Sequence, residues 1–85
     1  IMSHEPSALD VKTDIQRCIL ASYSAKGFED SNYKYFLRKA EDVLKRIDLN
    51  AEKRDLIYSQ FKKAMNYRQA PEKRREDLLM VASLV

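Results

Sequence analysis

His4 is the only histidine and Cys18 the only cysteine among 85 residues. A general base has to be held within hydrogen-bond reach of the proton it takes. His4 stands beside Ser3, Glu5 and Pro6, a stretch with no hydrophobic period, and is expected to lie in a disordered tail over residues 1–6. Cys18 falls between Ile15 and Ile19 on an apolar helix face, where a thiol behaves as a small buried hydrophobe with a raised pKa. One Cys and one His exclude the usual Cys/His zinc sites within a single chain, and one Cys excludes an intramolecular disulfide. Three Glu-Asp pairs remain for acid–base work or a divalent ion: Glu29-Asp30, Glu41-Asp42 and Glu76-Asp77. Neighbouring helix residues point about 100° apart, so such a pair shares a ligand poorly. Nearby Lys and Arg favour solvated ion pairs instead. There is no Gly-rich phosphate loop, HExxH, nucleophile elbow or CxxC. The expectation is a non-enzyme, with no catalytic, cofactor or metal residue assigned.

Residue types suited to binding are more plentiful. Tyr35 stands beside Lys34, Arg38 and Lys39, and further on Lys53 precedes Arg54, Tyr58 and Lys62, which are spaced four apart. Such faces grip phosphates or stack on bases, and they equally pack Lys and Arg stems over Tyr at a solvated surface. A helix-turn-helix is a specific form of the nucleic-acid reading, with Lys53 and Arg54 near the start of the reading helix. Glu52 and Asp55 interrupt that end, and the turn before it has no Gly. The other departure from an ordinary amphipathic pattern is the C-terminal Leu78-Leu79-Met80-Val81-Ala82-Ser83-Leu84-Val85, in which Ser83 is the one polar residue. Either that segment is buried nearly all round, or one side of it stays exposed and receives a partner helix, a peptide or a second copy. The docking residues would be Leu79, Met80 and Leu84, with Arg74 and Arg75 as rim charges.

The elements that position these residues read as helices. Ser7-Ala8-Leu9-Asp10 has capping-box spacing, and Ala8, Val11, Ile15, Cys18, Ile19 and Tyr23 follow with a 3.6-residue period. Lys12, Thr13, Asp14, Gln16 and Arg17 fall mainly on the outer side. The only glycine, Gly27, suits a left-handed helix end, with Phe28 packing back on Tyr23. Helix 1 is therefore predicted over about 8–25. Helix 2, about 32–47, carries the regular stripe Tyr33, Phe36, Leu37, Ala40, Val43, Leu44 and Ile47. Its outer face offers Glu41–Lys45 and Asp42–Arg46 as acid-first pairs four apart. Asn50 caps helix 3, about 51–69, whose stripe is Leu56, Ile57, Phe61, Ala64 and Met65. Pro71 ends that helix and opens helix 4, about 71–84. Short connections favour antiparallel neighbours, so the predicted fold is all-α, a compact up-down bundle of four helices forming a single domain over 7–85.

Composition agrees with this class. Apolar residues are 45% and charged residues 34%, which fits neither a disordered chain nor a membrane protein. One Gly and two Pro are too few for a short-stranded β fold. The net charge of +3 is uneven: residues 1–30 balance to −2 and residues 31–85 to +5. That is less than the dense basic stripe of a dedicated duplex-DNA binder, yet suited to an acidic partner. No segment reads as a secretory signal or membrane span, Met2 reads as the native start, and the expected location is cytoplasmic, or nuclear in a eukaryote. The expected function is a protein–protein interaction module: a small adaptor, chaperone-like or regulatory helical domain docking an acidic or amphipathic helix or peptide, or self-associating. The alternative is a small basic DNA- or RNA-binding regulatory protein that uses Lys53, Arg54, Tyr58 and Lys62.

Overall fold

A computed structural model describes residues 7–85. The tail expected over 1–6, with His4 and Met2, lies outside the described residues. Four α-helices and no strand occur among the described residues: α1 Ala8–Ala21, α2 Ser31–Arg46, α3 Ala51–Ala64 and α4 Pro71–Leu84. The all-α class is as expected, and α1 packs on α2 and α3 on α4. The packing gathers into two compact units, one running to Asp48 and the other from Leu49 to Val85. Each is a helical hairpin.

In the first hairpin, α1 begins with a capping box. Ser7 N–H donates to Asp10 Oδ2 at 3.0 Å, and the Ser7 hydroxyl lies 3.3 Å from the same oxygen. The helix stops four residues before the predicted end. Just past the last helical residue the buried Ser22 donates its hydroxyl to the Ile19 carbonyl at 2.6 Å and its N–H to the Cys18 carbonyl at 3.0 Å. Gly27 does adopt the left-handed conformation, with φ of 55°, but it opens a single 3-10 turn, Gly27–Glu29, rather than closing α1. Phe28 accordingly packs edge-on against Tyr33, ring centroids 4.9 Å apart, and Tyr23 is exposed rather than part of the stripe. Asp30 caps α2, with Oδ1 accepting from Asn32 N–H at 2.8 Å and Tyr33 N–H at 3.2 Å while Ser24 donates its hydroxyl to Oδ2 at 2.9 Å. These donors, the Ser24 hydroxyl first, hold the Asp30 carboxyl below the usual carboxylate range.

The predicted α2 stripe forms the buried side of this hairpin. Tyr33, Ala40, Val43, Leu44 and Ile47 are buried with Val11, Ile15 and Cys18 of α1, while Phe36 and Leu37 are half-buried. On the outer face both expected ion pairs form, Glu41–Lys45 at 3.4 Å and Asp42–Arg46 at 3.3 Å. Both are largely solvated and contribute a few tenths of a kcal/mol, on the order of 0.3–0.5 each.

In the second hairpin, Asn50 caps α3 as predicted, its side-chain oxygen accepting from Lys53 N–H at 2.8 Å. Asn50→Ala is expected to cost about 1 kcal/mol in urea unfolding, because the Lys53 amide loses its acceptor. The helix ends at Ala64, well before Pro71, so Pro71 is not what stops it. Asn66 accepts from Arg68 N–H at 3.0 Å, an Asx-turn that offers the backbone another course. The last carbonyls of α3 are then met by side chains: Gln69 Nε2 donates to Lys63 at 2.6 Å and Arg74 Nε to Ala64 at 3.0 Å. Ile57, Phe61 and Ala64 are buried with Leu78 and Val81 of α4. Leu56 and Met65, expected in that stripe, are exposed at 54% and 39%. Leu56 lies about 100° round the helix from Ile57, and only one of two such neighbours can face α4. Met65 falls past the last helical turn. Pro71 opens α4 at its first position, as predicted.

Candidate binding surfaces

The C-terminal octet resolves into two sides of α4. Leu78 and Val81 are fully buried, and Asp77 beside them is 2% exposed. Leu79 and Met80 are 55% and 48% exposed, and Leu84 is half-buried. Of the two expected rim charges, Arg74 is half-buried, with its Nε spent on the Ala64 carbonyl. Arg75 is half-buried as well. The Leu79–Met80 pair is thus an apolar spot on a helix whose Leu78 and Val81 are already buried.

Asp77 departs from the expectation of solvated Glu-Asp pairs. Its Oδ1 accepts from Gln60 Nε2 at 3.1 Å and from Lys73 Nζ at 3.2 Å, within a buried setting. Its Oδ2 is buried and meets no hydrogen-bond donor among the described residues. The bond to Gln60 ties α4 to α3 by a polar contact inside the packed face.

The alternative surface on α3 is less regular than its spacing suggests. Lys53 and Lys62 are exposed, but Tyr58 is half-buried and the Arg54 Nε is buried. The four residues do not make one open row. Exposed basic side chains also follow one another at the end of α3 and beyond it: Lys62, Lys63 and Arg68, the last with its guanidinium 5.9 Å from the ring centroid of Tyr67. Charge also divides by hairpin. Residues up to 48 carry eight basic and eight acidic side chains, so the whole net charge of +3 belongs to residues 49–85.

A third feature escaped the pattern. A cleft of about 270 Å3 lies against α1 and α2, lined by Asp10, Thr13, Asp14, Arg17, Lys39, Val43 and Arg46. Asp14, expected on the outer side, is 3% exposed. Val11, Asp14, Ile15 and Cys18 share three-and-four spacing, so strict helical geometry places Asp14 inside, and the residue type had hidden this. Its nearest cation is Arg17, Nη1 to Oδ1 at 3.8 Å, beyond hydrogen-bond range. Burial pushes the Asp14 carboxyl above its ordinary range, against the opposing pull of Lys39 and Arg17. Burial, with the Asp14 charge nearby, pushes the Cys18 thiol up to about 12; Cys18 is buried, its Sγ 3.6 Å from the Tyr33 carbonyl oxygen. That thiol is inert to thiolate chemistry.

A raised folded-state pKa favours the folded state at low pH. Its stabilising contribution is complete below the unfolded value and is lost as pH rises through the folded one. Asp14→Asn, which carries no such charge, is therefore expected to be more stable than the parent at neutral pH. The advantage shrinks as pH falls through the carboxylate range. Melting temperatures of both proteins at several pH values check this, and an advantage independent of pH would contradict it.

No group of three or more His, Cys, Asp or Glu side chains among the described residues is arranged to hold a metal ion. No helix among them is long and apolar enough to cross a membrane. No family model, curated protein or solved structure matches the chain.

Proposed function

We propose that the chain is a non-enzymatic protein-interaction module that docks an acidic amphipathic helix or peptide on the exposed side of α4. The observation that carries this reading is the pair Leu79 and Met80, each about half exposed beside the fully buried Leu78 and Val81. An apolar helix face laid on Leu79 and Met80 removes their remaining exposed halves from water, a gain of about 1 kcal/mol each, roughly half that of burying a fully exposed side chain of this size. Leu84 extends the spot, and Met adapts its shape to varied partners. The net charge of +3 on residues 49–85 favours an acidic partner and raises its rate of encounter. A cytoplasmic or nuclear setting suits this role, where the lone thiol stays reduced.

The test is fluorescence anisotropy with a labelled amphipathic helical peptide bearing Leu on one face and Glu on the other. Binding that weakens with salt is expected, as is a loss of roughly tenfold or more in Leu79→Asp, the scale of an interface hot spot. Lys53→Glu should change it far less. Equal affinity of parent and Leu79→Asp, both with unchanged helical circular dichroism, overturns the reading. So does sedimentation of the parent as a dimer that Leu79→Asp returns to monomer, since a second copy would then occupy the face.

A further inference from the structure

We propose that the α1–α2 cleft binds a tetrahedral oxyanion of the sulfate or phosphate class, gripped by Arg17, Lys39 and Arg46, with the Asp14 carboxyl donating a hydrogen bond from the floor. The inference is independent of the docking surface on α4. Its first ground is that three basic residues from two helices, Arg17, Lys39 and Arg46, line one cleft, against the two carboxyls of Asp10 and Asp14. Two of the basic residues are held in place by aromatic neighbours: the Arg17 guanidinium lies 5.5 Å from the Phe36 ring centroid and Lys39 Nζ 5.9 Å from that of Tyr35. The third, Arg46, is paired among the described residues with the exposed Asp42 at 3.3 Å, a solvated contact that exchanges readily for a better acceptor. The cleft volume of about 270 Å3 corresponds to several water molecules at about 30 Å3 each. It therefore takes a small oxyanion and part of its hydration shell.

The second ground is Asp14. Its side chain is 5% exposed, it lines the cleft, and no donor comes within hydrogen-bond distance of it among the described residues. A cationic ligand would sit among Arg17, Lys39 and Arg46, and Arg17 already faces the Asp14 carboxyl at 3.8 Å. A protonated Asp14 would instead give its O–H to an anion held by the same cations. The groups facing Asp14 permit this. From α1 these are Arg17, the neutral Cys18 thiol, and Asp10, whose Oδ2 is engaged with the Ser7 N–H and hydroxyl. From α2 they are Lys39 and Arg46. Burial already favours the neutral acid, and a bound anion favours it further. Binding therefore takes up a proton, and affinity rises by up to about tenfold for each pH unit lowered between the free and bound pKa values of Asp14.

Sulfate is the first probe, because its charge stays constant through the carboxylate range. In amide correlation spectra at constant ionic strength, sulfate added against chloride is expected to give saturable shifts concentrated at Thr13, Asp14, Arg17 and Lys39. The affinity should rise as pH falls. Asp14→Asn should still bind, with its amide as the donor, and should lose the pH dependence. Lys39→Glu, at an exposed position, should lose tenfold or more. Inorganic phosphate and phenyl phosphate compared at one pH separate a free ion from a phosphate ester: equal affinity assigns the cleft to the ion, and tighter phenyl phosphate to the ester. Shifts that spread over all basic residues without saturation overturn the site. A pH dependence that persists in Asp14→Asn overturns the role of Asp14.

Discussion

Phe61→Ala is expected to destabilise the second hairpin by about 3–5 kcal/mol, the range for removing a buried aromatic ring. Phe61 is 2% exposed on α3, in the buried group formed with Ile57, Ala64, Leu78 and Val81. It is the only ring in that group, and Ala64 is too small to expand into the space it leaves. The surroundings are regular helix backbone, which collapses poorly onto a void. A chain of this size has about 4–13 kcal/mol of total stability. The loss is therefore a large share of it. Urea unfolding followed by circular dichroism at 222 nm reads the midpoint, and amide exchange resolved by residue reports where protection falls. Leu56→Ala is the matched control: it removes a large apolar side chain from the same helix at a position 54% exposed, and should cost well under half as much. If the two variants cost the same, the assignment of the inner face of α3 is wrong.

That control marks where the sequence is ambiguous. The α2 stripe is legible because its apolar residues recur at three and four with charges everywhere between, so only one rotation of the helix buries them. α3 offers Leu56 and Ile57 side by side, and α4 offers apolar residues on every side, so periodicity alone leaves both rotations open. The helix ends fall short of the residues whose type marks a stop: α1 ends at Ala21 before Gly27, and α3 ends at Ala64 before Pro71, where the Asn66 side chain makes an Asx-turn with the Arg68 N–H. The two buried carboxylates were obscured by their residue type. Asp14 and Asp77 both fall at interior positions by helical spacing, and their charge argued for the surface. Each then shapes a surface: Asp14 forms part of the cleft, and Asp77 bonds α3 from the helix that carries Leu79 and Met80.

Lys73→Ala is expected to cost about 1–3 kcal/mol, and Asp77→Asn added to it should recover most of that loss. Asp77 receives one bond from Gln60 and one from Lys73, and its second oxygen is buried without a donor among the described residues. Removing Lys73 leaves a buried carboxylate with a single neutral partner, the costly way to break a buried pair. The cost stays toward the low end because the Lys73 side chain is 57% exposed, so water reaches part of the vacated space. Asp77→Asn then removes the uncompensated charge while its carbonyl keeps the Gln60 bond. The double-mutant cycle in urea should show a coupling of at least about 1 kcal/mol. Simple additivity would mean that Lys73 does not compensate Asp77. The same contact has a consequence for docking. The last turns of α4 are apolar on every side, so burial there scarcely distinguishes one rotation of the helix from another. The Asp77–Gln60 bond is a directional contact on the packed face, beside that of Arg74 Nε with the Ala64 carbonyl, and it favours Leu78 and Val81 inward with Leu79 and Met80 outward. Gln60→Leu should accordingly weaken binding of the amphipathic peptide more than it lowers stability, whereas a bond with no such role would move both together.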